Sequence, residues 1–243
     1  MSAPLFLVDH LPEPDTGTLT GPEGHHAATV QRLRVGESVL LGDGRGGLAS
    51  AVVTAVGRGT LDFLVQKRWY RPPPDPRLVV VQGIAKGDRG ELAVQVMSEV
   101  GVDAVVPWQA ARSVARWPAG DRGDKAHRRW RDTAREAAKQ ARRAWLPVVE
   151  PVVTTPAAVA LVGRAGLALV LHEEAEPALS TVDLPASGDI VVVVGPEGGI
   201  APEELAAFVA AGAVTVRLGQ TVLRTSTAGV AALAVLSARM GRW

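Results

Sequence analysis

The chain has 243 residues, enough for one large domain or two modest ones, and with 47% apolar but only 4% aromatic residues its core must be valine, leucine and alanine. Cysteine is absent, His10, His25, His26, His127 and His172 fall into no ligand spacing, and no run of about 18 apolar residues occurs, so disulfides, a metal and a membrane span are not expected. The formal net charge is +1, yet eleven Lys/Arg against four Asp/Glu crowd between Arg112 and Arg143, a local excess that fits either a polyanionic partner or a solvated helix face.

The N-terminal MSAPLFLVDHLPEPD lacks the basic start and long apolar region of a secretory signal, which points to the cytoplasm. The first 70 residues read mostly as strands: SVLLGDG, GLASAVVTAV and TLDFLVQKRW are β-branched-rich, and Asp43-Gly44 is a hairpin turn signal. One short helix is expected over GHHAATVQRLR, and strands at this spacing predict a small barrel. RPPPDPR, Arg71 to Arg77, is too proline-rich for helix or central strand and marks a boundary between domains 1–72 and 73–243. Beyond it strands and helices alternate. LVVVQGI, DAVVPW, LALVLHE, IVVVVG and AVTVRLG are continuously apolar strands, and GELAVQVMSEVG, Lys125 to Trp145, PEELAAFVAAG and TSTAGVAALAVLSARM are helices. Apolar strands without alternation belong to a sheet covered on both faces, so the second domain is α/β with a mainly parallel sheet. At 100° per residue, the helix from Lys125 places Arg128, Arg131, Arg135, Lys139 and Arg142 in one band and Trp130, Ala134, Ala137, Ala141 and Trp145 in another.

Ligands of open α/β sheets sit beyond the carboxyl ends of the strands. VVVVGPEGGIAPEEL leaves a strand there through Gly195, Pro196, Glu197, Gly198 and Gly199, and Pro202, Glu203 and Glu204 then open a helix. Glycines let a ligand approach the backbone or supply positive φ, and Glu197 has no apolar duty in such a turn. Neither GxxxxGK[ST] nor GxGxxG is present, and an acidic loop repels phosphate. A second loop, RLGQTVLRTSTAG, enters the last helix through N-capping Thr225–Thr227, with Arg224 facing the same sheet edge.

GPEGGIAPEEL followed by RLGQTVLRTSTAG resembles the SPOUT superfamily, in particular the RsmE-type enzymes that methylate N3 of a uridine in small-subunit ribosomal RNA. HHAATVQRLRVGESVLLGDGRGG is similar to that family's N-terminal PUA-like segment. AKGDRGELAVQVMSEVGVDAVVPWQAARSV and RRWRDTAREAAKQARRAWLPVV are similar to its middle, so the likeness covers nearly the whole chain. The chain departs from it at Ser226, where the family commonly has glutamate, and at Ala141, where serine is usual. The resemblance implies a PUA-like β-barrel followed by a SPOUT trefoil-knot domain. S-adenosyl-L-methionine would lie against Leu171, His172, Glu173, Gly195, Pro196, Glu197, Gly198, Gly199, Leu218, Gly219 and Leu223. Arg224 would stabilise charge on the uracil, Glu197 would orient a group or take the proton, and His172 reads as a structural histidine. His25, His26, Arg32 and Arg34 in the barrel are expected to hold RNA phosphates. Arg112, Arg116, Arg128, Arg131, Arg135, Lys139 and Arg142 are expected to do so in the second domain. The partners implied are 16S ribosomal RNA or the small subunit, and a second copy of the chain. A ribose 2′-O methyltransferase and a non-catalytic RNA-binding module stay open as alternatives.

Overall fold

The computed structural model describes residues 3–243; Met1 and Ser2, the start of the expected first domain, lie outside the described residues. The chain forms two compact units, one of residues up to Pro73 together with Ala138–Leu146, the other of Pro74–Ala137 together with Pro147–Trp243.

The first unit is a curled five-stranded sheet of β1 (Leu5–Leu7), β2 (Thr16–Leu19), β3 (Ser38–Gly42), β4 (Gly47–Gly57) and β5 (Thr60–Tyr70), in the order β1-β3-β4-β5-β2. β1 and β3 pair in parallel, and β3–β4, β4–β5 and β2–β5 pair antiparallel. The β3–β4 turn is held by Asp43, whose Oδ1 accepts the N–H groups of Arg45 at 2.7 Å and Gly47 at 2.9 Å. Register shifts at Ser50/Ala51 and Val53/Ala55 break the long β4–β5 ladder, the irregularity by which a sheet bends. Phe6, Leu41, Ala51, Leu61 and Phe63 fill the concave side. The expected helix Gly24–Arg34 starts earlier and ends sooner, as α1 (Gly21–His25) and a π-helical turn His26–Val30. Arg32 then takes the left-handed conformation with φ 54°, which a helix cannot continue.

The second unit carries a six-stranded parallel sheet of β6 (Arg77–Gly83), β7 (Ala104–Trp108), β8 (Val148–Val149), β9 (Leu167–Leu171), β10 (Asp189–Val194) and β11 (Val214–Val216), ordered β11-β9-β10-β6-β7-β8. Alternate residues of the central strands feed two cores. Leu78, Val80, Ile190 and Val192 face Val94 and Met97 of α2 (Arg89–Glu99), Trp130 of α3 (Asp121–Gln140) and Leu233 of α6 (Thr225–Arg239). Val79, Val81, Val191 and Val193 face Ala158 of α4 (Thr155–Val162) and Phe208 of α5 (Pro202–Ala210). That double burial is why these strands show no polar alternation.

The α3 helix corrects the expected Lys125–Trp145. It begins at Asp121, with Asp121 and Asp124 favourably placed in its first turn, and ends at Gln140. Arg142 takes φ 53°, and Trp145 leaves the helix to pair with Arg45 in an isolated bridge and to donate its indole N–H to the Arg71 carbonyl at 2.9 Å. Among the described residues no helix is long and apolar enough to cross a membrane.

Candidate active site

The chain fills the β7–β8 edge of the sheet first and the β9–β11 side afterwards, so the two halves meet where β10 pairs with β6. The carboxyl ends of neighbouring parallel strands at such a reversal leave a crevice. Here β9, β10 and β11 end at Leu171, Val194 and Val216, and the loops that follow wall a cleft of about 630 Å³. Residues 171–173, 195–199 and 218–219, with Leu223 and Arg224, all line it, so every position expected to touch cofactor reaches one cavity. Arg89, Arg112 and Arg217 line it as well; Arg112 is expected only as an RNA-phosphate contact, and Arg89 and Arg217 are not expected at any site.

The 195–199 loop is held from below. Thr225 Oγ1 donates to the Gly195 carbonyl at 2.7 Å and accepts from Nε2 of the fully buried Gln82 at 2.9 Å. A Cβ on Gly83 would lie 2.6 Å from the Pro196 nitrogen, so β6 can approach this loop only with glycine there. A Cβ on Gly195 would meet Ile200 at 2.9 Å, and one on Gly198 would meet the Arg112 carbonyl oxygen at 2.8 Å. Gly199 has φ 75°. These glycines therefore answer to the protein's own packing. Gly219 differs: a Cβ there would meet nothing within 4 Å.

Glu197 has definite partners. Its Oε1 accepts the Lys86 N–H at 3.0 Å and pairs with Nη1 of Arg89 at 3.2 Å, tying the 195–199 loop to the start of α2. His172 Nδ1 accepts the Glu174 N–H at 3.3 Å, a local turn contact. Arg224 is exposed at the N-cap of α6, and among the described residues its guanidinium meets no carboxylate. Ser226, which replaces the glutamate of the family pattern, is 4% exposed and does not line the cleft. Among the described residues no cluster of three or more His, Asp or Glu side chains is placed to hold a metal ion.

The residues expected to meet RNA divide. In the first unit His25, Arg32 and Arg34 are exposed, while His26 is half-buried with its ring edge-on to Phe6 at 6.1 Å. In the second unit Arg112, Arg116, Arg128, Arg131 and Arg135 are exposed. Lys139 is corrected: it is 4% exposed, its Nζ lies 2.7 Å from Glu23 Oε2 and 5.6 Å from the Phe6 ring centroid, and it is an internal ion pair rather than a phosphate contact. Arg142 is exposed but lies past the helix end, so the stripe stops at Arg135.

Comparison with known proteins identifies the architecture. Residues 72–237 match the model of an RNA methyltransferase domain, and residues 19–66 that of an RNA methyltransferase PUA domain. Ribosomal RNA small subunit methyltransferase E of Mycobacterium bovis is 52% identical over 250 residues, covering 100% of this chain and 94% of the relative. The protein of the same name from Bacillus subtilis is 30% identical, covering 93% of this chain and 91% of that one. The crystal structure of ribosomal RNA small subunit methyltransferase E from Neisseria gonorrhoeae bound to S-adenosyl methionine superposes with a TM-score of 0.84 at 27% identity, covering 98% of both chains. With a full-length relative at 52% identity and both domain models matched, the chain belongs to the ribosomal RNA small subunit methyltransferase E family.

Proposed function

We propose that the cleft binds S-adenosylmethionine and that the chain methylates N3 of a uridine in 16S ribosomal RNA of the small subunit. The observation that carries this reading is the convergence of three strand-end loops on one cleft of about 630 Å³, within the size range of small-molecule sites. The walls suit such a group. Leu171, Val194, Ile200 and Leu218 offer apolar surface for a purine, the glycine loops bring backbone close, and Glu173 and Glu197 tolerate a cationic sulfonium. When bound, the cofactor supplies an electrophilic methyl group on sulfur.

The chain's own residues must hold the uridine in line and stabilise negative charge as its N3 proton passes to solvent water. Arg224 is the residue for that charge: it lines the cleft, is exposed, and sits at the start of the well-buried α6, which fixes its backbone. Glu197 serves as a latch through Lys86 and Arg89 rather than as the base. The exposed arginines of α3 and the basic residues after β2 hold RNA phosphates, with residues 1–72 as the RNA-binding domain and 73–243 as the catalytic domain. A cytoplasmic homodimer completes the reading; Val222 and Trp243, 73% and 66% exposed, are apolar surface for a second copy, and a monomeric mass by light scattering would count against it.

The test is methylation of small subunits lacking the modification, with the nucleoside product identified by mass spectrometry. The reading expects 3-methyluridine that depends on S-adenosylmethionine. A ribose-methylated product, or none, overturns it.

A further inference from the structure

A second cleft, of about 650 Å³, lies in the same unit and neighbours the first: Asp88 lines it, and the next residue, Arg89, lines the first. The segment after β6 borders it through Ala85, Gly87 and Asp88, and Lys86 of that segment is the residue whose N–H Glu197 holds. The segment after β7 passes from Arg112 in the first cleft to Arg116 and Trp117 in the second. Neighbouring clefts of this kind suit consecutive residues of one extended polymer.

The lining is basic and aromatic. Arg116, Arg122, Lys125 and Arg129 are all exposed and stand against two acids, Asp88 and Glu91. Arg129 engages Glu91 at 3.5 Å. Among the described residues Arg116, Arg122 and Lys125 have no carboxylate partner. Trp117 is half-buried, and its ring meets the buried Trp130 edge-on at 4.8 Å and 79°, which fixes its orientation from below. Gln109 staples the loop that carries it: Oε1 accepts the Trp117 N–H at 3.1 Å and Nε2 donates to the Ala115 carbonyl at 3.1 Å. A rigid indole ringed by exposed cations combines base stacking with phosphate attraction, the two ingredients of single-strand recognition.

We infer that the second cleft takes a nucleotide flanking the target uridine, its base stacked on Trp117 and its phosphates paired with Arg116, Arg122 and Lys125. This rests on the RNA-methylating reading above. The test is fluorescence anisotropy of a labelled ten-nucleotide oligouridylate on the full chain across a salt series, which needs no methylation. Trp117→Ala is expected to bind roughly tenfold more weakly, and Trp117→Phe, which keeps an aromatic face, within about threefold of the parent. The triple Arg116→Gln, Arg122→Gln, Lys125→Gln is expected to lower the slope of log K against log salt by about two, three phosphate contacts on a single strand. Unchanged binding in Trp117→Ala overturns the inference. So does an equal loss in Trp117→Phe, which would make the ring a packing element only. If Trp117→Ala fails to fold, the triple decides alone, since its three side chains are exposed, and an unchanged salt slope there overturns the inference. Failure of the parent protein to methylate small subunits would instead strike the enzymatic reading and leave these binding results standing.

Discussion

A side chain at Gly198 would place its Cβ 2.8 Å from the Arg112 carbonyl oxygen, whereas one at Gly219 would meet no protein atom within 4 Å. Both residues line the cleft, so they separate the protein's own packing from ligand contact. Gly219→Val is expected to leave the melting temperature unchanged and to weaken S-adenosylmethionine binding at least tenfold, about 1.4 kcal/mol, by calorimetric titration. Gly198→Val is expected to lower the melting temperature as well, because the 195–199 loop must move away from Arg112. Equal affinity in Gly219→Val and the parent would place the cofactor elsewhere. Glu197 yields a similar contrast. Glu197→Gln can still accept the Lys86 N–H and loses only a half-exposed pair with Arg89, worth about 1 kcal/mol or less. Single-turnover methylation should therefore persist within about tenfold in Glu197→Gln and fall further in Glu197→Ala. Loss of all activity in Glu197→Gln would restore the carboxylate as a base.

The start of α5 is built around one buried carboxylate. Glu204 is 6% exposed; its Oε1 accepts the Ala111 N–H at 2.8 Å and the Thr155 hydroxyl at 2.7 Å, and its Oε2 accepts the Ala201 N–H at 3.2 Å. It thereby binds the start of α4 and the segment after β7 to α5. Glu204→Ala leaves those donors without acceptors and should cost about 2–3 kcal/mol in urea unfolding, with Glu204→Gln losing less. A loss below 0.5 kcal/mol, within the usual range of surface substitutions, would show that water replaces the network. The sequence announces Glu204 only as a helix-start acid, since nothing local reveals its distant partners. The same limit explains the other differences. Continuous valine runs identify β6 and β10 because both faces of the sheet are covered, but two-residue β8 and three-residue β1 have no pattern to read. Periodicity carried α3 on to Trp145, and only tertiary contacts with Arg45 and Arg71 turn that residue out of the helix. Lys139 sits in the right band for a solvent-facing stripe, yet Glu23, more than a hundred residues earlier, draws it inward. The cleft loops were legible through their glycines and through the family resemblance. The membership of Arg89 was not, because it rests on a contact with Glu197 across 108 residues of sequence.

For the whole molecule the unequal distribution of charge separates RNA affinity from chemistry. The excess between Arg112 and Arg143 amounts to +7 in a chain whose total is +1, so the rest of the protein is acidic and a polyanion is drawn to one region. Within it Arg128 and Arg131 are exposed on α3 and absent from the cleft proposed for the cofactor, while Arg224 lines that cleft. Reversing Arg128 and Arg131 to Glu should weaken binding to small-subunit RNA and flatten its salt dependence by about two phosphate contacts. Affinity for S-adenosylmethionine should stay within about twofold, because no wall of the cleft changes. Arg224→Ala should behave in the opposite way, with RNA affinity held within a few fold and single-turnover methylation reduced by about 100-fold, the scale of removing one stabilising donor. Cofactor affinity must be measured in that variant too, since Arg224 caps α6 beside Thr225 and a shifted loop would mimic a chemical role. A methylation rate at the parent level in Arg224→Ala removes the electrostatic assignment. Normal RNA binding and an unchanged salt slope after the double reversal make the α3 stripe a solvated face.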